Sequence, residues 1–120
     1  MENNGLLIAS DLSRCADNIQ YLNNKNLLKQ LISELLVKFN LTEMDSVYVS
    51  FGEDCGITGL VVLAESHLAI HTWPERCSLN LDIYLCNFKN DNSDTARKLS
   101  QEFSSFFNPA VTQIKTFWRS

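Results

Sequence analysis

The chain lacks any apolar run near the roughly 18 to 20 residues that a membrane-crossing helix needs, so no membrane association is expected. It lacks a C-x-x-C pair as well. Cys15, Cys55, Cys77 and Cys86 are widely and irregularly spaced, which indicates neither a zinc knuckle nor a disulfide framework. No basic stripe is present, and the formal net charge of -4 disfavours a partner held by its phosphate backbone; nucleic-acid binding is not expected. Glycine and proline are scarce, at four and two residues, and no repeat, low-complexity tract or linker-like stretch occurs, so fibrous and disordered architectures are excluded. The polar opening, residues 1–4, does not resemble a secretory signal, and a cytoplasmic location is expected.

What remains is the make-up of an ordinary globular protein, 45% hydrophobic and 20% charged. A length of 120 residues can bury one core but not two, so residues 1–120 are read as a single domain.

A short apolar run at residues 6–12 predicts a first strand. The Asn-rich residues 23–26 read as a turn, and from there Leu28, Leu31, Ile32, Leu35, Leu36 and Phe39 recur every three or four positions, predicting a helix that ends near Asn40. Residues 47–51 alternate around Tyr48, and 60–64 form an apolar run, which predicts two strands joined by a glycine-bearing turn or bulge over 52–59. After Glu65, His67, Ala69, His71 and Trp73 share one strand face and Leu68, Ile70 and Thr72 the other, up to Pro74. Residues 79–86 alternate again, with Leu79, Leu81, Ile83 and Leu85 opposite Asn80, Asp82, Tyr84 and Cys86. A second helix carries Ala96, Leu99, Phe103, Phe106 and Phe107, with Asn92 or Ser93 as its N-cap and Asn108 and Pro109 as its stop; residues 111–118 predict a last strand.

This order predicts an α+β fold: a two-layer sandwich in which an antiparallel sheet has two helices on one face. The other face then needs a partner or a site, and its polar residues suggest the site.

Taken singly, the reactive side chains are unremarkable. Ser66 reads as a turn residue and Cys86 as a structural thiol. His67 and His71 sit four residues apart on a strand, roughly 13 Å, too far to share one metal ion. The pattern as a whole carries more. Residues 63–75 read LAESHLAIHTWPE, preceded by Gly56, Ile57, Thr58 and Gly59 and followed by Cys86. This resembles the prokaryotic S-adenosylmethionine decarboxylase proenzymes, whose members carry a nearly identical stretch, a preceding G-V-S-G element and a following cysteine at matching spacing. The strong similarity covers residues 56–86.

The resemblance implies a self-processing, pyruvoyl-dependent decarboxylase that cuts itself between Glu65 and Ser66 into chains 1–65 and 66–120. Ser66 becomes the pyruvoyl group, whose ketone forms a Schiff base with a substrate amine, so neither metal nor pyridoxal phosphate is implied. His71 is implied in processing, with Thr58, in place of the family's serine, as its hydroxyl partner. Cys86 matches the family's proton donor. The implied product, decarboxylated S-adenosylmethionine, serves spermidine synthesis, and the implied assembly is a homodimer of cleaved protomers.

The sequence also departs from the pattern. Gly52 stands where an aromatic residue is common, although Phe51 is adjacent; Leu6 and Leu7 replace an Arg-His pair; Arg76, Cys77 and Ser78 replace Tyr-Gly-Tyr. Phe51, Glu53, Trp73 and Glu75 are candidate substrate contacts, though Trp73 and Glu75 could equally just terminate their strand. Glu53 and Asp54 could hold a cationic side chain, which leaves arginine or ornithine as an alternative substrate. A further alternative is an uncleaved, non-catalytic regulatory partner.

Overall fold

The computed structural model describes residues 4–120; residues 1–3, most of the polar opening, lie outside the described residues. The chain runs β1 (Gly5–Cys15), a 3-10 turn (Ile19–Leu22), α1 (Lys25–Lys38), β2 (Glu43–Ser50), β3 (Ile57–Leu63) and β4 (Ser66–Trp73). A second 3-10 turn (Pro74–Arg76), β5 (Ser78–Cys86), α2 (Ser93–Phe107) and β6 (Pro109–Arg119) complete it. The six strands form one sheet in the order β2-β3-β4-β5-β1-β6, and every neighbouring pair is antiparallel.

The alternation read from the sequence sorts the two faces. Leu68, Ile70 and Thr72 of β4 and Leu79, Leu81, Ile83 and Leu85 of β5 are buried, with Leu6, Ile8 and Leu12 of β1 and Ile57, Val61 and Leu63 of β3 beside them. Leu28, Leu31, Ile32 and Leu36 of α1 and Ala96, Leu99, Phe103 and Phe107 of α2 complete that core, so both helices cover the same face. α1 starts where Asn24 accepts a hydrogen bond from the Leu27 N–H at 3.1 Å, an ordinary N-cap. Among the described residues no helix is long and apolar enough to cross a membrane.

Three strands run well beyond their expected bounds: β1 continues past Leu12 to Cys15, β2 begins at Glu43, ahead of Val47, and β3 at Ile57, ahead of Leu60. Thr58 and Gly59, read as part of a turn, pair with Val49 and Tyr48. The reason is steric. A Cβ on Gly59 would lie 2.7 Å from the Tyr48 ring, so this glycine makes room for a cross-strand aromatic instead of breaking the strand.

Thr72, a member of the 63–75 motif, has a structural task. Its buried hydroxyl accepts from the Ile57 N–H at 2.9 Å and donates to the Leu22 carbonyl at 2.6 Å, tying β4 to β3 and to the first 3-10 turn. Thr72→Val preserves the shape and leaves both backbone groups unpaired; at about 1–3 kcal/mol for a buried unsatisfied group, the loss in urea unfolding should be roughly 2 kcal/mol or more. A loss below about 0.5 kcal/mol would show that the clamp contributes little.

Candidate active site

β3 returns as β4 through a turn of only two residues, because Leu63 already pairs with Ser66. That leaves Ala64 and Glu65 as the whole turn, and Glu65 adopts a left-handed backbone, φ 54. For a residue with a Cβ this conformation costs about 1–2 kcal/mol, and here it falls on the residue whose carbonyl forms the bond to Ser66.

Ser66 opens β4, half-buried, and its Oγ accepts a hydrogen bond from the Cys86 N–H at 2.8 Å. The β4–β5 register, His67 opposite Tyr84, is what brings the last residue of β5 to the first of β4. The Cys86 thiol lies 3.6 Å from Glu65 Oε2, and its sulfur accepts from the Phe88 N–H at 3.4 Å. Glu65, Ser66, Cys86, Phe88, Lys89 and Asn92 border a cavity of about 280 Å³ at this end of the sheet. The loop after Cys86 is pinned by hydrogen bonds. Ser93 donates its N–H to Asp91 at 2.9 Å, and this backbone bond, with the Ser93 hydroxyl, holds the Asp91 carboxyl below the usual carboxylate range.

Thr58 and His71 form a second pair. They are direct cross-strand partners, and Thr58 Oγ1 lies 3.1 Å from His71 Nδ1. His71 is five residues along β4 from Ser66, about 17 Å at the rise of an extended strand. A single chain therefore brings Ser66 to Cys86 and Thr58 to His71, but keeps the two pairs apart. His67 lies exposed on the open face with its ring 5.6 Å from that of Tyr84.

Phe51, Trp73 and Glu75 border a cavity of about 240 Å³ together with Asp54, Thr58 and His71. Phe51 is 65% exposed, which leaves its side chain available as a platform. The Trp73 indole N–H donates to Asn80 Oδ1 at 2.7 Å, Asn80 donates to Asp11 at 2.7 Å, and the Arg76 guanidinium lies 4.8 Å from the Trp73 ring centroid. Glu53 is exposed in the preceding turn and does not border this cavity; Asp54, with φ 61, does. Choosing between these adjacent acids requires the left-handed turn, which the sequence signals only through Gly52 and Gly56. Among the described residues no three His, Cys, Asp or Glu side chains converge as a metal site would require.

A two-layer α+β sandwich with this sheet has a solved counterpart: the adenosylmethionine decarboxylase of Aquifex aeolicus matches with a TM-score of 0.84 at 27% identity, covering 100% of this chain and 93% of that one. Residues 7–120 match the family model described as S-adenosylmethionine decarboxylase, and the chain belongs to that family. It is 44% identical over 62 residues to an S-adenosylmethionine decarboxylase proenzyme of Archaeoglobus fulgidus, a stretch covering 52% of this chain and 54% of that relative. To the proenzyme of Clostridium kluyveri it is 29% identical over 92% of this chain and 85% of the relative.

The turn can be tested apart from any activity. In a Ser66→Ala background, Glu65→Gly relieves the left-handed strain and should raise stability by about 0.5–1 kcal/mol in urea unfolding. A decrease would mean that Glu65 is not strained in this turn.

Proposed function

We propose that the chain is the precursor of a pyruvoyl-dependent S-adenosylmethionine decarboxylase that divides itself between Glu65 and Ser66. The observation that carries this reading is the Ser66 hydroxyl, held by the Cys86 N–H at 2.8 Å directly after the left-handed Glu65. The left-handed Glu65, the hydroxyl and the thiol share one end of the sheet.

In the proposed cleavage, Ser66 Oγ attacks the Glu65 carbonyl carbon; the C–O ester bond forms, the C–N peptide bond breaks, and the hydroxyl proton ends on the freed Ser66 nitrogen. Removal of the Ser66 α-proton then expels Glu65 as a carboxylate that keeps the Oγ oxygen, leaving a carbon–carbon double bond at residue 66. Tautomerisation to an imine and attack by water release ammonia and leave the pyruvoyl ketone. The half-buried position 66, beside a cavity bordered by Cys86, Lys89 and Asn92, suits so small a group. When formed, that group supplies a ketone that condenses with the substrate amine and draws off the electron pair left by departing CO2. The chain's own contribution at that stage is Cys86, whose thiol hydrogen is available as the returning proton.

His71 is assigned the α-proton transfer, with Thr58 orienting its ring. Because about 17 Å of strand separates it from Ser66, the assignment requires His71 from a second copy. The bare sheet face supports such a homodimer: Val47, Val49, Leu60, Val62 and Phe117 each leave 45–59% of their surface exposed there. A dimer through this face covers apolar surface and sets the Ser66–Cys86 end of each chain against the Thr58–His71 cavity of the other. In that cavity the Phe51 and Trp73 rings and the Asp54 and Glu75 carboxylates suit a planar base joined to a cation, as in S-adenosylmethionine.

Ser66→Ala should abolish cleavage and activity, read by intact mass and CO2 release; a split Ser66→Ala chain would sink the mechanism. Cys86→Ala should cleave normally and lose at least about tenfold in kcat. Co-expressed Ser66→Ala and His71→Ala chains separate the dimer from its alternatives. Only the His71→Ala chain should be cut, and only in the mixture. Release of CO2 from ornithine or arginine instead of S-adenosylmethionine would overturn the substrate, and a wild-type chain that stays whole would favour a non-catalytic partner.

A further inference from the structure

The loop from Cys86 to α2 contains an anomaly. Asn92 occupies the N-cap position of α2, where an asparagine side chain ordinarily accepts a hydrogen bond from the first helical turn, yet it makes no such bond. Its carboxamide turns back and donates from Nδ2 to the Cys86 carbonyl at 2.8 Å. Capping falls to its neighbour: Asp91 Oδ1 accepts from the Ser93 N–H at 2.9 Å. The rest of the loop holds Asn92 in this inverted pose. Asn92 donates its own N–H to Asn87 Oδ1 at 2.7 Å, Asn87 Nδ2 reaches Ser93 Oγ at 3.1 Å, and the Asn87 N–H is anchored on the Asn4 carbonyl at 2.6 Å.

Cys86 is thus held at three points: its N–H by Ser66 Oγ, its sulfur by the Phe88 N–H and Glu65 Oε2, and its carbonyl by Asn92. In the cleavage proposed above, the Ser66 oxygen leaves with Glu65, so the first of these is lost when the enzyme matures. The Asn92 contact involves no atom that reacts, and it persists.

We propose that Asn92 is a positioning residue for Cys86: by gripping the peptide that follows the cysteine, it keeps the thiol aimed into the cavity beside residue 66. This rests on the reading of Cys86 as proton donor. Helix α2 gives up its side-chain cap from this position in exchange for a fixed thiol.

Asn92→Asp separates positioning from mere fastening. Aspartate is as good an N-cap as asparagine and suits the positive end of a helix, but its carboxylate cannot donate to the Cys86 carbonyl. The variant should keep or raise the unfolding midpoint and still cleave itself, while kcat falls about tenfold or more with KM within about twofold. A second readout needs no active enzyme. In the uncleavable Ser66→Ala chain, iodoacetamide should alkylate Cys86 several times faster when Asn92→Asp is added, measured by peptide mass so that the other three cysteines are distinguished. An unchanged kcat and alkylation rate, or a kcat loss matched by a fall in midpoint, overturns the proposal. Cys86→Ala is the control: if it leaves turnover intact, the donor reading itself fails, whereas its failure to do so beside a fully active Asn92→Asp removes Asn92 alone.

Discussion

A two-residue return between β3 and β4 sets the geometry on which the rest of the site depends. Because Leu63 already faces Ser66, the pairing of every later residue is fixed, down to Thr58 opposite His71. A slip by one residue would exchange the two faces of β4, sending His67 and His71 into the core and Leu68 and Ile70 into water. The leucine-rich core therefore fixes the candidate site indirectly, since burial of Leu68 and Ile70 enforces the one register that sets Ser66 beside Cys86 and His71 beside Thr58. The cost is concentrated at Glu65, a Cβ-bearing residue in a conformation that glycine would adopt freely.

Much of this was legible in the residues. The helices announced themselves because stripes such as Leu28, Leu31, Ile32 and Leu36 depend only on local period, and β4 and β5 did so because alternation is equally local. The α+β sandwich followed from their order. Gly59 misled because its role is set by the Tyr48 ring across the sheet, a contact between residues eleven apart that no local pattern reveals. The extension of β1 to Cys15 and its full pairing with β6 were equally non-local.

At the site, the motif from residue 63 to 75 mixes two kinds of residue that look alike in sequence. Thr72 is a buried clamp, while His71 beside it points to the open face with Thr58 as its partner. The polar loop after Cys86 was still less legible: Asn92 occupies a capping position by every local rule, and only the direction of its carboxamide shows that it bonds the Cys86 carbonyl rather than the helix. Glu53 and Asp54 looked equivalent for a similar reason, since only the folded turn, with Asp54 left-handed, brings one of the two acids to the cavity.

The sheet order also bears on what a break after Glu65 would do to the molecule. Residues 1–65 supply β1, β2 and β3, and residues 66–120 supply β4, β5 and β6, yet in the sheet β1 lies between β5 and β6. The pieces are interleaved like clasped fingers rather than set side by side. Three hydrogen-bonded ladders, β3 to β4, β5 to β1 and β1 to β6, would run from one piece to the other. A severed chain would thus remain one body without any covalent link, and neither piece could depart without unravelling the strands of its companion.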